Sequence, residues 1–207
     1  LRLEFQRKGD LHIDNIKIVP YNYNYIKSKD KFTKSFDSHP QDLGVGKEYW
    51  WGINTKYSSS LKFGNSFKNE SVVVDYPESK DLKWNTFGFS PFQWMHLDIS
   101  SIYRTSAIKF KIKANELPKL KVFLFSYKGK KRRLQIVLND NNFINRGDGI
   151  YDAYLPLKSL EEHEKFTWES FKEIRFKVLS GNQFEVGNFQ LIEFRGNPQK
   201  PTQWKGI

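Results

Sequence analysis

Apolar and polar residues alternate one for one along most of the second half of this chain. In AIKFKIKAN, Ile108, Phe110 and Ile112 fall on one side of an extended backbone, and Lys109, Lys111 and Lys113 on the other. A helix would scatter these residues around its surface, whereas a strand sorts them into a buried and a wetted face. KLKVFLFSYK follows Pro118, KGKKRR reads as a hairpin tip, and RRLQIVLND is its return strand, with Leu134, Ile136 and Leu138 on one face. GIYDAYLPL, closed by Pro156, then IRFKVL and FEVGNFQLIEF, complete the series. In the first half, SVVVDYP is a strand and KWNTFGFSPF another, with Phe87 and Phe89 together. Strands at roughly ten-residue spacing, broken by Gly, Asn, Asp and Pro, predict an all-β chain folded as a β-sandwich of two antiparallel sheets. LKSLEEHEKFTWESFKEI departs from the alternation. Ser159 ahead of Glu161 and Glu162 predicts one short helix there, lying across an end of the sandwich.

A chain of 207 residues can build one core that needs no covalent staples. It has no cysteine, so disulfides and thiolate metal sites are excluded. No apolar run reaches the roughly 18 residues of a membrane span. The formal charge of +11 favours an anionic partner, such as an acidic polysaccharide, nucleic acid or lipid, unless it serves solubility alone. Aromatic residues make up 16% of the chain, six of them Trp, enough to fill a core and still leave some on the surface.

The opening LRLEFQRKGDLHIDNIKIV can be laid on IRFKVLSGNQFEVGNFQLI, 173 positions later, without a gap. Leu1, Leu3, Phe5, Leu11, Ile13, Ile16, Ile18 and Val19 meet apolar residues from Ile174 to Ile192, and Arg2 and Asn15 meet Arg175 and Asn188. Residues 1–19 then read as the terminal strand pair of an upstream, similar module, with residues 20–195 as the complete module and 196–207 as a linker. The alternative is that 1–19 form an added hairpin of the same sandwich. YNYNYIKSKDKFTKSFDSHPQDLGVGKEYWW is poorly periodic and covers an edge or carries loops.

FGFSPFQWMHLDISSIYRTSAIKFKIKAN, IYDAYLPLKSL and FTWESFKEIRFKVLSGNQFEVGNFQLIEF resemble the jelly-roll carbohydrate-binding modules of bacterial polysaccharide-degrading systems. The likeness is to the family-11 and the family-4 or family-22 type, which share a galactose-binding-like sandwich. Leu97-Asp98-Ile99-Ser100 and Leu155-Pro156-Leu157 carry the pattern, and Asp14-Asn15 keeps its terminal Asp-Asn. The resemblance covers about residues 80–195 and the opening segment. It implies a jelly roll, a glycan held on one concave sheet, and a structural calcium with a carboxylate in the last strand. Gly187 lacks that oxygen, which leaves Asn188 with Glu48 or Glu70 as donors.

No catalytic motif stands out. His12, His39, His96 and His163 have no metal-ligand spacing, and Gly44-Val45-Gly46-Lys47 lacks the spacing of a phosphate-binding loop. Carbohydrate recognition needs flat aromatic surfaces for C–H faces and Asp, Asn, Gln or Arg for paired hydroxyls. Arg133 and Gln135 share one face of their strand, as do Asp152 and Tyr154; if these strands adjoin, the four residues form one patch. Arg132, in the basic hairpin, adds a group for sulfate or carboxylate. Trp50 and Trp51, being adjacent, point to opposite faces, so one is buried. Trp84 and Trp94 flank the FGF strand and could line a groove, while Trp168 reads as core. Lys109, Lys111 and Lys113 would extend the field of Arg175 and Lys177 if those strands adjoin.

The sequence thus predicts a non-catalytic module that anchors an attached enzyme to a plant or algal polysaccharide, sulfated or carboxylated in keeping with the charge. It would act outside the cell or at its surface, joined to catalytic or further binding modules. A lyase or hydrolase with unrecognised acids is the alternative. A basic module for nucleic acid or protein ranks below both, for want of any recognition motif.

Overall fold

Lys109, Lys111 and Lys113 do stand opposite Ile108, Phe110 and Ile112, and the same sorting builds both sheets. A computed structural model describes residues 41–53, 60–75, 85–91, 95–181 and 183–194. Twelve strands run in chain order: β1 Gln41–Asp42, β2 Trp50–Trp51, β3 Leu61–Phe63, β4 Ser71–Asp75, β5 Thr86–Phe89 and β6 Ser106–Ala114. Then come β7 Lys119–Ser126, β8 Arg133–Val137, β9 Phe143–Gly147, β10 Ile150–Pro156, β11 Phe171–Ser180 and β12 Gln183–Glu193. They form a seven-stranded sheet, ordered β3-β4-β12-β6-β10-β9 with β1 beside β12, and a five-stranded sheet, ordered β2-β5-β11-β7-β8. Every strand pairing is antiparallel. The all-β expectation of two antiparallel sheets is met.

Phenylalanine fills the space between the sheets. Phe87 and Phe89 from β5 and Phe176 from β11 face Phe110 from β6 and Phe189 from β12, all fully buried. Ring centroids lie 5.4 Å apart for Phe87–Phe176, 5.2 Å for Phe176–Phe189 and 5.4 Å for Phe110–Phe189. Such offset and edge contacts suit the ring quadrupoles and add to the gain from burial. A bulge between Gly187 and Gln190 keeps β12 in phase. Asn188 takes a left-handed backbone, φ 54°, and Phe184, Val186, Phe189 and Leu191 all stay buried on either side of it.

The expected short helix is a correction. Leu157–Ser159, His163–Lys165 and Trp168–Ser170 are three separate 3-10 turns, and FKEI already belongs to β11. Glu162, φ 57°, interrupts any helical path between the first two. Tertiary packing holds the segment instead. Trp168 stacks on Tyr103 at 4.7 Å, and its indole N–H donates to the His163 carbonyl at 2.7 Å. The Leu97–Ser100 stretch clips onto the start of β11: Leu97 and Phe171 exchange backbone bonds of 2.7 and 2.9 Å. Asp98 closes its own turn through the Ser100 N–H and hydroxyl. These motifs punctuate the fold.

The two closing strands are not a hairpin. β11 and β12 follow one another in sequence but hydrogen-bond in different sheets. The opening segment to which they were aligned, residues 1–19, and the tail 196–207 lie outside the described residues. Among the described residues no helix is long and apolar enough to cross a membrane.

Candidate functional site

On β7, Leu120, Val122 and Leu124 point into the core and Lys121, Phe123 and Phe125 point out. Tyr127 continues the outward line one step past the strand, more than half exposed. This is an aromatic ladder on the outer face of the five-stranded sheet. Its neighbours are fixed by register: Trp51, Gly88, Arg175, Phe123 and Gln135 stand side by side on β2, β5, β11, β7 and β8. At about 4.8 Å per strand, that row spans about 19 Å. Thr86, Lys177, Lys121 and Val137 form the next row on one side. Glu173, Phe125 and Arg133 form it on the other.

The centre is held rigid. The Arg175 guanidinium carbon sits 4.1 Å from the Phe125 ring centroid and 5.0 Å from that of Trp51. Glu173 accepts from Arg175 Nε at 2.6 Å and Nη2 at 3.0 Å, and from the Trp51 indole N–H at 2.8 Å. One carboxylate thus orients both the arginine and the tryptophan. Gly88 makes the arrangement possible, because a Cβ there would come within 2.8 Å of the Trp51 ring and 2.6 Å of the Ile174 carbonyl oxygen. Cations rim the ladder: Lys121 and Arg133 lie 5.3 and 6.0 Å from the Phe123 centroid, and Lys172 lies 5.0 Å from that of Tyr127. His96 stacks parallel on Tyr127 at 5.8 Å.

The sequence-predicted residues scatter differently. Arg133 and Gln135 are exposed on this face, and Trp51 lies on it half-exposed. Arg132 is exposed at the hairpin tip, its Nε donating to the Gly129 carbonyl at 3.1 Å. The tip is tethered where Lys131 pairs with Glu162; Lys131 and Lys165 together hold that carboxyl down to about 2. Trp50 is the buried member of its pair. It packs 4.5 Å from Phe89, with its N–H on the Gly44 carbonyl, and so belongs to the core. Trp84 and Trp94 lie outside the described residues.

Two conditional expectations fail on topology. β8 and β10 belong to different sheets, so Asp152 and Tyr154 do not join Arg133 and Gln135 in one patch. Asp152 and Tyr154 are instead buried in the seven-stranded sheet. Burial pushes the Asp152 carboxyl up, but Lys111 at 2.7 Å and Arg146 at 2.8 Å outweigh it and hold the group below its ordinary value. Likewise β6 and β11 lie in different sheets, so the Lys109 stripe does not extend the field of Arg175 and Lys177. The resemblance also implies a calcium-binding carboxylate in the last strand. A Cβ at Gly187 would strike Ser71, so no carboxylate belongs there. Among the described residues no three His, Asp or Glu side chains are grouped to hold an ion.

Phe123, Phe125, Tyr127 and Glu173 were missed as site residues, and Arg175 was noted for its charge alone. The signal was present: KVFLFSY is apolar on both faces, more than a strand with one wetted face requires.

No protein-family model and no curated protein matches the sequence. Solved structures do match in fold. A family 30 carbohydrate-binding module superposes with a TM-score of 0.53 at 12% identity, covering 78% of this chain and 91% of that one. This chain has the fold of a carbohydrate-binding module. Weaker likenesses are the family 30 module of a Clostridium thermocellum cellulosomal cellulase and a family 11 module from the same organism. The first has a TM-score of 0.49 at 13% identity and covers 76% of this chain and 94% of that one. The second was solved with a β-1,3-1,4-mixed-linked tetrasaccharide; its TM-score is 0.47 at 16% identity, over 76% of this chain and 98% of that one. The jelly-roll resemblance read from the sequence is met at the level of the fold.

Proposed function

We propose that the outer face of the five-stranded sheet binds polysaccharide without catalysis, and that the polymer is a plant or algal one bearing sulfate or carboxylate groups. The observation that carries this reading is the ladder Phe123–Phe125–Tyr127, with Trp51 and the pinned Arg175 beside it. Flat rings suit the C–H faces of sugars, while Arg175, Gln135 and Arg133 suit paired hydroxyls and acid groups. Fixing these side chains before the ligand arrives spares part of the ordering cost of binding. The anionic assignment rests on charge: Lys121, Arg133, Lys172, Arg175 and Lys177 share this face, and Glu173, an acid within it, is already paired with Arg175.

Such a face holds a polymer and does not cleave it. Its use is to raise the effective concentration of an attached catalytic domain near its substrate, outside the cell or at its surface. Residues 20–195 would be the module, 1–19 the end of a similar preceding one, and 196–207 a linker.

Affinity gels cast with sulfated, carboxylated and neutral polysaccharides test the reading. Retardation should be greatest with the acidic polymers, should weaken as salt rises, and should be lost in Phe125→Ala. Salt-independent binding would refute the anionic assignment. Retardation by DNA and by no glycan would transfer the face to nucleic acid. Release of new sugar ends, abolished by changing one carboxylate, would make the chain an enzyme.

A further inference from the structure

A cleft of about 370 Å³ lies on the outer face of the seven-stranded sheet, the side of the sandwich away from Trp51. Two rows in register form its floor. Val73, Glu185 and Lys113 stand side by side on β4, β12 and β6, and Asp75 stands beside Gln183 on β4 and β12. Ser66, from the loop between β3 and β4, walls one side. The Asp148–Gly149 turn between β9 and β10 also lines the cleft, Asp148 with a left-handed backbone of φ 51°.

Glu185 is the unusual member. Its residue is 8% exposed, where a valine would fill the same strand position at far lower desolvation cost. The carboxylate is deliberately housed. One oxygen accepts from the Ser66 backbone N–H at 2.9 Å and from the Ser71 hydroxyl at 2.5 Å. A Cβ on Gly64 would collide with that oxygen, so glycine leaves the room it occupies. Burial pushes the carboxyl up, but the Ser66 and Ser71 hydrogen bonds and the nearby Lys113 charge bring it below its ordinary value. It therefore stands ionised, as an acceptor. Gln183 Nε2 donates to Asp75 at 3.1 Å, so those two side chains also orient one another.

We infer that this cleft is a second binding site, for an uncharged sugar residue at a chain end or branch. A pair of adjacent hydroxyls donates to a carboxylate while its oxygens accept from an ammonium, and Glu185 beside Lys113 offers that combination. The volume suits a ligand the size of one sugar residue. Asp75, Asp148 and Glu185 outnumber Lys113 here, which disfavours sulfated or carboxylated sugars. The Lys113 ammonium on the floor disfavours a metal cation, and no three acids among the described residues are grouped to hold one. This site is independent of the aromatic ladder.

Amide and indole NMR titration of the full chain tests it, using methyl galactoside, methyl glucoside and methyl mannoside, with galactose 6-sulfate and calcium chloride as controls. At least one neutral glycoside should shift the amides of Val73, Lys113, Glu185 and Gly149 with a Kd on the order of 1 mM. Lys113→Ala and Asp75→Ala, both at exposed positions, should each weaken that binding about tenfold, and Trp51→Ala should leave it unchanged. The inference is overturned if no neutral glycoside moves these amides at about ten times that concentration. It is also overturned if calcium moves them and the sugars do not, or if both floor variants bind as the parent does. Polymer binding through Phe125 survives any of these failures, so the two sites are judged separately.

Discussion

Trp51 carries the sharpest test of the aromatic platform, because two substitutions separate its parts. Trp51→Phe keeps an aromatic face but removes the N–H that reaches Glu173 at 2.8 Å. A hydrogen bond to a charged acceptor contributes about 1.5–3 kcal/mol when buried, and this half-exposed one about 1 kcal/mol. Trp51→Ala also removes the ring lying 5.0 Å from Arg175, a cation–π contact of about 0.5–1 kcal/mol, together with the surface covering Gly88. The expected losses of stability in urea titration are then about 1 kcal/mol for Phe and about 2 kcal/mol for Ala. Binding should order the same way but more steeply. Truncating an anchoring tryptophan costs about 2 kcal/mol, or about 30-fold in Kd, whereas Phe should retain most of the affinity. Isothermal calorimetry with the polysaccharide retained best in gels reads this directly. A folded Trp51→Ala protein that binds within about twofold of the parent would refute the platform. Equal stability losses for Phe and Ala would place the whole effect in the N–H bond and leave the stack with none.

Phe176→Ala should cost about 3–5 kcal/mol in chemical denaturation, since its buried ring touches Phe87, Phe89, Phe110 and Phe189 and the hole cannot readily collapse. Asp152→Asn should cost about 1–3 kcal/mol, less than for a fully buried pair because Lys111 and Arg146 are partly exposed and can regain water. Asp152 has a depressed folded pKa, so its contribution is complete above its unfolded value near 4 and is lost as pH falls through the folded value. Melts of parent and variant should therefore converge in acid, and a constant gap down to pH 2 would contradict the assignment. Gly187→Asp restores the carboxylate that the resemblance implies, yet its Cβ strikes Ser71. It should destabilise by about 1–3 kcal/mol with no rescue by calcium in differential scanning calorimetry.

Period-two patterning made the strands legible, because burial on one face imposes it locally. Ile108, Phe110 and Ile112 needed no knowledge of any partner strand. Sheet membership was not legible, since it depends on which distant strands pair. That is why the alternation puts Arg133 and Asp152 in one patch only on condition that their strands adjoin, and those strands lie in different sheets. The helix expectation failed for a similar reason: the acidic start at Glu161 is a local signal, overridden by packing of Phe166 and Trp168 at the sandwich end. Trp51 was read correctly as one of an alternating pair, but nothing local told which tryptophan faced out. Glu173 and Arg175 look like ordinary surface charges in sequence. Their role follows from the row that puts Arg175 between Gly88 and Phe123.

The separation of β11 and β12 into different sheets has a consequence for how the chain is made. β11 lies between β5 and β7, and β12 joins β4 and β1 on one side to β6 on the other, so until residues 171–193 are synthesised the five-stranded sheet is in two parts and the seven-stranded sheet in three. A nascent chain lacking them leaves β1, β4, β5, β6 and β7 each with an unpaired edge and lacks Phe176 and Phe189 from its core, the conditions under which β-rich chains associate wrongly. Assembly must then wait for contacts between residues far apart in sequence, which slows folding. In a ribosome-release experiment the described sandwich should become protease-resistant in one step, as this last strand pair emerges.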